Sequence, residues 1–393
     1  MYGDIVEIAP RTLMIEGRVP PTSVILEPDV PNVVLYRPDS TLYVMDTGVT
    51  TFFRGRVLEA VERLRPFDRV VLLNTHAHPD HVGNNSIIDT IQAGEKVHYL
   101  SEKSGPLLQV RQYFMEGYGR ASDYANLLEG LDVSVDLVQR LFEAQGLERP
   151  GPEADLRRFG TLATQLGFTR LASPLVPSLM IAYLTPTFAP QEPRAETARR
   201  YEQLPRRTFS VGGAEWTGWD FDGNVYVLEA AGHCADGMIC YCPKTRVLYV
   251  GDETTTVPLW VDTDLRKALP NVQKYIGMVE AGAVDVFLDG HHHTVYRDPD
   301  TTVSFLQALL RFNATLRQEI TDTLAGQAAG LTVDEIYAAM KARANAALVE
   351  LFQRQFPVFG VFIKQEIVGM LLDMNAPRHG GPGPQTRFAL PAS

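Results

Sequence analysis

Residues 74–84 read Asn-Thr-His-Ala-His-Pro-Asp-His-Val-Gly-Asn, so three histidines and an aspartate fall within six residues. Imidazole is the commonest zinc donor and aspartate adds an anionic oxygen, which makes this segment a candidate metal site. His76 and His78, two apart, can bite one metal from a single loop. Asp80 and His81 then point at a neighbouring position. A solvated polar loop is the competing reading. It weakens because the chain has only nine histidines, and because further candidate donors recur downstream.

Those donors share a context. The histidine segment follows Arg69–Asn74 (RVVLLN), an apolar run without alternation that reads as a fully buried strand. His233 follows the strand-like Val225–Glu229, Asp252 follows Val247–Val250, and His291 follows Val284–Leu288. Gly232, Gly251 and Gly290 directly precede these three, and a residue without Cβ lets the backbone come close to a bound ion. Strand ends that open onto one rim are how an α/β scaffold assembles an active site. Other strands are expected at Ser23–Glu27, Val33–Tyr36, Thr41–Met45 and Met238–Tyr241, and a short helix at Ser86–Gln92.

The ordered set His76-x-His78-x-Asp80-His81, His233, Asp252 and His291 resembles the metallo-β-lactamase superfamily. Asp46-Thr47-Gly48 matches the Asp-Thr-Gly that precedes the histidine motif there, and the likeness covers residues 23–104 and 206–295. It implies an α/β fold, a metallo-β-lactamase-like four-layer αβ/βα sandwich, with a helical insertion and a helical C-terminal extension added. It also implies a dinuclear centre. His76, His78 and His233 would hold one metal; Asp80, His81 and His291 would hold the other; Asp252 would bridge them. Asp46 would fix a ligand imidazole by hydrogen bond. Two zinc ions per chain are expected, with iron or manganese as alternatives. They would share a water and lower its pKa towards ~7, with Asp80 as the proton shuttle. His291 fits the family best among the three consecutive histidines, which leaves His292 and His293 a structural or substrate-facing role. His98 and His379 are read as ordinary histidines.

The organisation follows from these segments. Residues 1–104 and 208–302 are read as the two halves of the sandwich, 105–207 as a helical insertion acting as a lid or in dimerisation, 303–374 as a helical extension, and 375–393 as an extended or frayed tail. Phe305, Leu309, Phe312 and Leu316 keep one helical face, and Thr332-x-x-Glu335 is a capping-box pattern opening another helix. Of the 393 residues 45% are apolar and 21% charged, and the net charge is −11. Such an acidic surface repels phosphate backbones, so nucleic acid is not expected as a partner. No apolar run is long enough to span a membrane. Met1–Pro10 has acids where a signal peptide would have a basic region, so a cytoplasmic protein is expected. Cys234, Cys240 and Cys242 are too few and too close for a disulfide framework. Cys240 and Cys242 alternate onto one face of a strand and are expected to be buried thiols, and Cys234, beside a candidate ligand, to be a neutral packed thiol.

The partner expected is a small molecule. An apolar insertion favours a lactone or carboxylic ester, and Tyr118, Tyr183 and Phe188 are candidates to line its pocket, alongside Tyr113, Phe114 and Tyr124. The same metals would serve a thioesterase or a hydrolytic dehalogenase. A mononuclear iron enzyme like the persulfide dioxygenases is the reading from a different class. A homodimer through the insertion is the alternative to a lid.

Overall fold

The computed structural model describes residues 2–17, 30–109, 124–125, 193–254, 263–292, 294–343, 360–380 and 385–390. The first half builds a seven-stranded sheet in the order β1 (Ile5–Ala9), β2 (Thr12–Ile15), β3 (Val33–Tyr36), β4 (Thr41–Met45), β5 (Arg69–Leu73), β6 (Glu95–Leu100), β7 (Arg199–Arg200). β1 to β4 pair antiparallel and β4 to β7 parallel. The second half builds a six-stranded sheet from β8 (Arg207–Val211), β9 (Ala214–Phe221), β10 (Val225–Glu229), β11 (Met238–Cys242), β12 (Val247–Tyr249) and β13 (Val286–Leu288). It is antiparallel except at the β12–β13 pair. A last pair, β14 (Arg378–His379) and β15 (Arg387–Phe388), stands apart.

Period-two alternation explains why the central strands are apolar throughout. Val34, Tyr43, Met45, Val71 and Leu73 face the other sheet, where they meet Val225, Val227, Val247, Tyr249 and Leu288. Cys240 and Cys242 lie in this layer, as their alternation implied, and burial pushes both thiols far above their ordinary range. The odd-phase residues Leu35, Leu42, Val44, Val70 and Leu72 turn outward onto α1 (Thr51–Arg63). That helix starts because Thr50 accepts from the Phe53 amide at 3.2 Å, and it buries Phe53, Val57, Ala60 and Val61 along one stripe. The short helices α2 (Pro79–Val82), α3 (Ile87–Thr90) and α4 (Gly105–Leu108) follow. On the far side of the second sheet, α5 (Leu265–Glu280) and α6 (Pro299–Leu324) cover Leu228, Ile239, Leu248 and Phe287. The result is helix, sheet, sheet, helix: the four-layer sandwich expected.

Helices α7 (Val333–Arg343) and α8 (Gly360–Asp373) continue the chain. The capping box forms as read: the Thr332 amide donates to Glu335 Oε2 at 2.8 Å and the Glu335 amide to Thr332 Oγ1 at 3.2 Å. Leu316, Ile320, Leu324, Val333, Ile336 and Leu371 make a further core that also holds Ala77 and Cys234, so the extension packs against the rim bearing the histidines.

Several expectations need revision. The tail is not frayed where described, because Phe388 bridges to Leu331 and is fully buried. Within 199–203, inside the span read as insertion, Arg199–Arg200 adds a strand to the first sheet and Tyr201 is buried between the sheets. Tyr124 packs against Phe388 and its hydroxyl accepts from Arg378, so it belongs to the core shared with the C-terminal segment. The strand expected at Ser23–Glu27, His293, and the aromatics Tyr113, Phe114, Tyr118, Tyr183 and Phe188 lie outside the described residues.

Candidate metal centre

The candidate donors leave the ends of β5, β10, β12 and β13 and meet on one rim. His76 Nε2 lies 3.0 Å from His78 Nδ1, and His233 Nε2 lies 3.2 Å from the same His78 atom. Neutral imidazole nitrogens packed this closely form a natural cation cradle. Burial, reinforced by repulsion from neighbouring histidines, pushes His76 well below its ordinary value and His78 down to about 3. Cys234 Sγ joins this cluster and donates to Asp236 Oδ1 at 3.1 Å, which places a proton on sulfur, in keeping with the packed thiol expected.

The second cluster is Asp80, His81, Asp252 and His291. Asp252 Oδ1 lies 3.1 Å from His81 Nε2, and its Oδ2 lies 3.1 Å from His291 Nε2. That Oδ2 is also 3.7 Å from both His76 Nε2 and His233 Nε2, so this carboxylate stands between the two clusters. Asp80 Oδ2 is 3.3 Å from His291 Nε2. Burial opposes charge here, but His81 and His291 hold both carboxyls below their usual range. Burial alone would depress His81; Asp252, Asp80 and Asp46 together keep it protonated far above its ordinary value. Yet His81 Nε2 and Asp252 Oδ1 are buried without a hydrogen-bond partner among the described residues. Buried orphan atoms facing each other at that distance fit a group that binds both, which is what a divalent cation does.

A hydrogen-bond chain behind the donors sets their tautomers. Asp46 Oδ2 accepts from His81 Nδ1 at 2.9 Å, from Thr75 Oγ1 at 2.7 Å and from Tyr249 OH at 2.9 Å. Asp46 Oδ1 accepts from the Thr75 amide at 2.8 Å. Thr75 has a single hydroxyl proton and gives it to Asp46, so at His76 Nδ1, 3.1 Å away, it must accept. With a cation bound, both imidazoles would therefore keep their proton on Nδ1 and turn an Nε2 lone pair inward. Asp46 sits at φ +62°, a left-handed turn that an aspartate tolerates, and Gly48 follows at φ +67° because a Cβ there would lie 2.3 Å from the Phe53 ring. Gly290 is needed for a different reason: a Cβ there would lie 2.3 Å from Asp252 Oδ1.

Three carboxylates that sequence reasoning missed hold the loops. Asp236 Oδ2 accepts from the Ala77 amide at 3.0 Å and from Ser104 Oγ at 2.7 Å, pinning the histidine loop. Glu253 Oε1 accepts from the Gly232 and His233 amides at 3.0 and 3.1 Å, and burial pushes this carboxyl up to about 7. Asp289 accepts from the His291 and His292 amides and pairs with the His292 ring, which packs on Phe305. His292 is thus turned into structure. The only advance signal for these acids was their closeness in sequence to the donors.

The match to the family model described as the metallo-beta-lactamase superfamily runs over residues 26–297. The chain belongs to that superfamily. Among solved structures, a beta-lactamase domain protein from Burkholderia ambifaria is 17% identical at a TM-score of 0.52, covering 99% of this chain and 94% of the other. A metallo-beta-lactamase family protein from Thermus thermophilus is 18% identical at 0.50, covering 98% and 100%. A sec-alkylsulfatase from Pseudomonas sp. is 14% identical at 0.51, covering 93% of this chain and 50% of that one. These likenesses speak to the fold. No curated protein matches the sequence. Metallo-β-lactamase superfamily members are mostly hydrolases, and the two donor clusters support a metal-dependent one.

A cavity opens beside His233 and Asp252, with Leu265, Leu269 and Val272 of α5 and Leu309 of α6 on its apolar wall. No helix among the described residues is long and apolar enough to cross a membrane.

His98, read as ordinary, is a structural histidine behind the site. Its Nε2 bonds Asn74 Oδ1 at 2.8 Å, and burial with Arg200 nearby pushes its pKa down to about 3. The native state therefore refuses a proton that the unfolded chain takes up below about pH 6.5. From there down to about pH 3 this group should cost stability at roughly 1.4 kcal/mol per pH unit. Denaturant melts of wild type and His98→Gln between pH 7 and 4 should diverge in slope by one proton. Parallel curves would show that His98 titrates normally.

Proposed function

We propose that this chain is a two-metal hydrolase of neutral, apolar carboxylic esters or lactones, with zinc as the expected ion and iron or manganese as alternatives. His76, His78 and His233 would hold one ion, Asp80, His81 and His291 the other, and Asp252 would bridge. The observation that carries this is the Asp252 carboxylate lying between two donor clusters, with its Oδ1 and His81 Nε2 buried and without another partner among the described residues. Bound there, the ions would supply a water acidic enough to ionise near neutrality and would polarise the scissile carbonyl.

The chain's own residues have distinct tasks. Asp46 and Thr75 hold the protons of His81 and His76 on Nδ1. Asp80, whose side chain is the most exposed of the donors at 18%, takes the proton of the attacking water and returns it to the leaving oxygen. The apolar wall beside His233 favours an uncharged, hydrocarbon-bearing substrate. Apart from residues 199–203, which join the sandwich, the 105–207 insertion would form a lid whose Tyr118, Tyr183 and Phe188 select the acyl group, and 303–374 a helical extension.

Metal analysis of the purified chain should find about two ions, and chelation should abolish hydrolysis of aryl esters and lactones. Full activity in a metal-free sample would overturn this reading. Thioesters or halides cleaved in preference would move the substrate class while leaving the centre intact. One iron per chain with oxygen uptake would point to the oxygenase class.

A further inference from the structure

Of the candidate donors, His291 has the least support from regular structure. The others follow β5, β10 and β12, each of which has a strand on both sides. His291 follows β13, a three-residue strand at the end of its sheet, and residues 289–292 beyond it are neither helix nor strand. An imidazole on such a segment keeps its place only if the surrounding backbone is held from elsewhere.

Asn32, directly before β3 in the other sheet and only 1% exposed, does the holding. Its Nδ2 donates to the Asp289 carbonyl at 2.8 Å and to the His292 carbonyl at 2.7 Å, and its backbone N–H donates to the Gly290 carbonyl at 2.5 Å. Both Nδ2 protons are thereby used, and Oδ1 accepts from the Gly17 amide at 2.8 Å. Carbonyls only accept and a backbone amide only donates, so these partners leave the side chain one orientation. Asp289 meanwhile accepts from the His291 and His292 amides. The peptide groups around His291 are thus gripped at their carbonyls by the first sheet and at their amides from within the loop. Aspartate has the shape of asparagine but lacks the two N–H groups, and leucine has neither donor nor acceptor.

We propose that Asn32 is a positioning residue for the second metal, holding His291 where it, Asp80 and Asp252 can meet one ion. Its role there rests on the two-metal reading above. A plain tie between the two sheets would support both donor clusters alike, whereas a residue acting through His291 supports one.

Calorimetric zinc titration of the full-length chain, stripped of metal beforehand, separates the two. Tyr43→Phe is the control, because the Tyr43 hydroxyl donates across the sheets to the Phe221 carbonyl, and Phe221 pairs with Val225 at the far end of β10 from His233. Wild type should show two binding steps. Asn32→Ala should weaken the step that His291→Ala abolishes by about tenfold or more, as loss of an outer partner of a ligand does, and leave the other within about twofold. In the His291→Ala background it should change nothing further, since its effect passes through that imidazole. Tyr43→Phe should leave both steps unchanged. Equal loss at both steps, no loss at either, a further loss in the double variant, or the same loss in Tyr43→Phe would overturn the proposal. If Asn32→Ala does not fold, Asn32→Thr, which fills the space and keeps one donor, should weaken the same step. Amide hydrogen exchange of the metal-free chain judges the hold on the loop apart from the ions: His291 and His292 should exchange about tenfold faster in Asn32→Ala, the worth of one net hydrogen bond. Fewer than two steps in wild type would count against the two-metal reading, and unaltered exchange against Asn32.

Discussion

Asp252→Ala is expected to lower metal content from about two ions per chain towards one and to reduce kcat/KM on the order of a thousandfold. The carboxylate contacts four imidazoles: His81 and His291 at 3.1 Å, His76 and His233 at 3.7 Å. Removing it takes the one anion shared by both donor clusters out of a buried site, where five imidazoles would otherwise have to hold two dications with Asp80 alone. Losing a positioned ion at a reacting centre is worth several kcal/mol of transition-state stabilisation, and each 1.36 kcal/mol is about tenfold in rate. Elemental analysis with steady-state kinetics measures both effects, and circular dichroism checks that the sandwich is retained. A variant with two tightly bound ions and near-wild-type turnover would mean that Asp252 is not a bridge.

Asp46→Asn should produce the second large effect without touching any candidate ligand. Oδ2 receives three donors, from His81, Thr75 and Tyr249. An amide has one oxygen, and the Thr75 amide and Asn74 Nδ2 already claim the other position. The NH2 group must then face His81 Nδ1, which can accept only by moving its proton to Nε2. Thr75, no longer obliged to donate to a carboxylate, can donate to His76 Nδ1 and move that proton as well. Both lone pairs that face the centre would be lost. Outer partners of ligating imidazoles typically carry 10–100-fold in metal affinity, and two tautomers are affected here, so the loss should be at least about a hundredfold. Zinc titration with a chromophoric competitor reads the affinity, and nitrogen chemical shifts of the zinc-loaded protein read which ring nitrogen keeps its proton. Unchanged affinity with protons still on Nδ1 would refute the chain from Asp46 to both imidazoles.

Much of the centre was legible in the sequence because metal donors come from few residue types. A cluster of three histidines and an aspartate behind a buried strand is a local signal, and the glycines before His233, Asp252 and His291 marked the other strand ends. The inner strands were legible for a related reason: strands buried on both faces lose their polar alternation and stand out as apolar runs. Asp46 came through only by resemblance, since one aspartate after a strand has no distinctive spacing of its own. The hairpin β8–β9 was missed because its strands are half exposed and carry charges, although Gly212 and Gly213, both at positive φ, mark its turn. Helix α5 was missed because Pro270 reads as a breaker. The helix tolerates it by burying Leu265, Ala268, Val272, Tyr275, Met278 and Val279 against the second sheet.

The sequence by itself therefore determined which atoms can bind a cation and that they follow strand ends. The tertiary structure decided how those atoms are aimed. Thr75, Tyr249, Asp236 and Glu253 are ordinary residue types. Their roles arise from contacts spanning 29 positions between Thr75 and Asp46, 203 between Tyr249 and Asp46, and 159 between Asp236 and Ala77. No local pattern encodes such pairings. They exist because packing two sheets face to face brings strand ends from both halves to one rim, where every buried donor must find an acceptor.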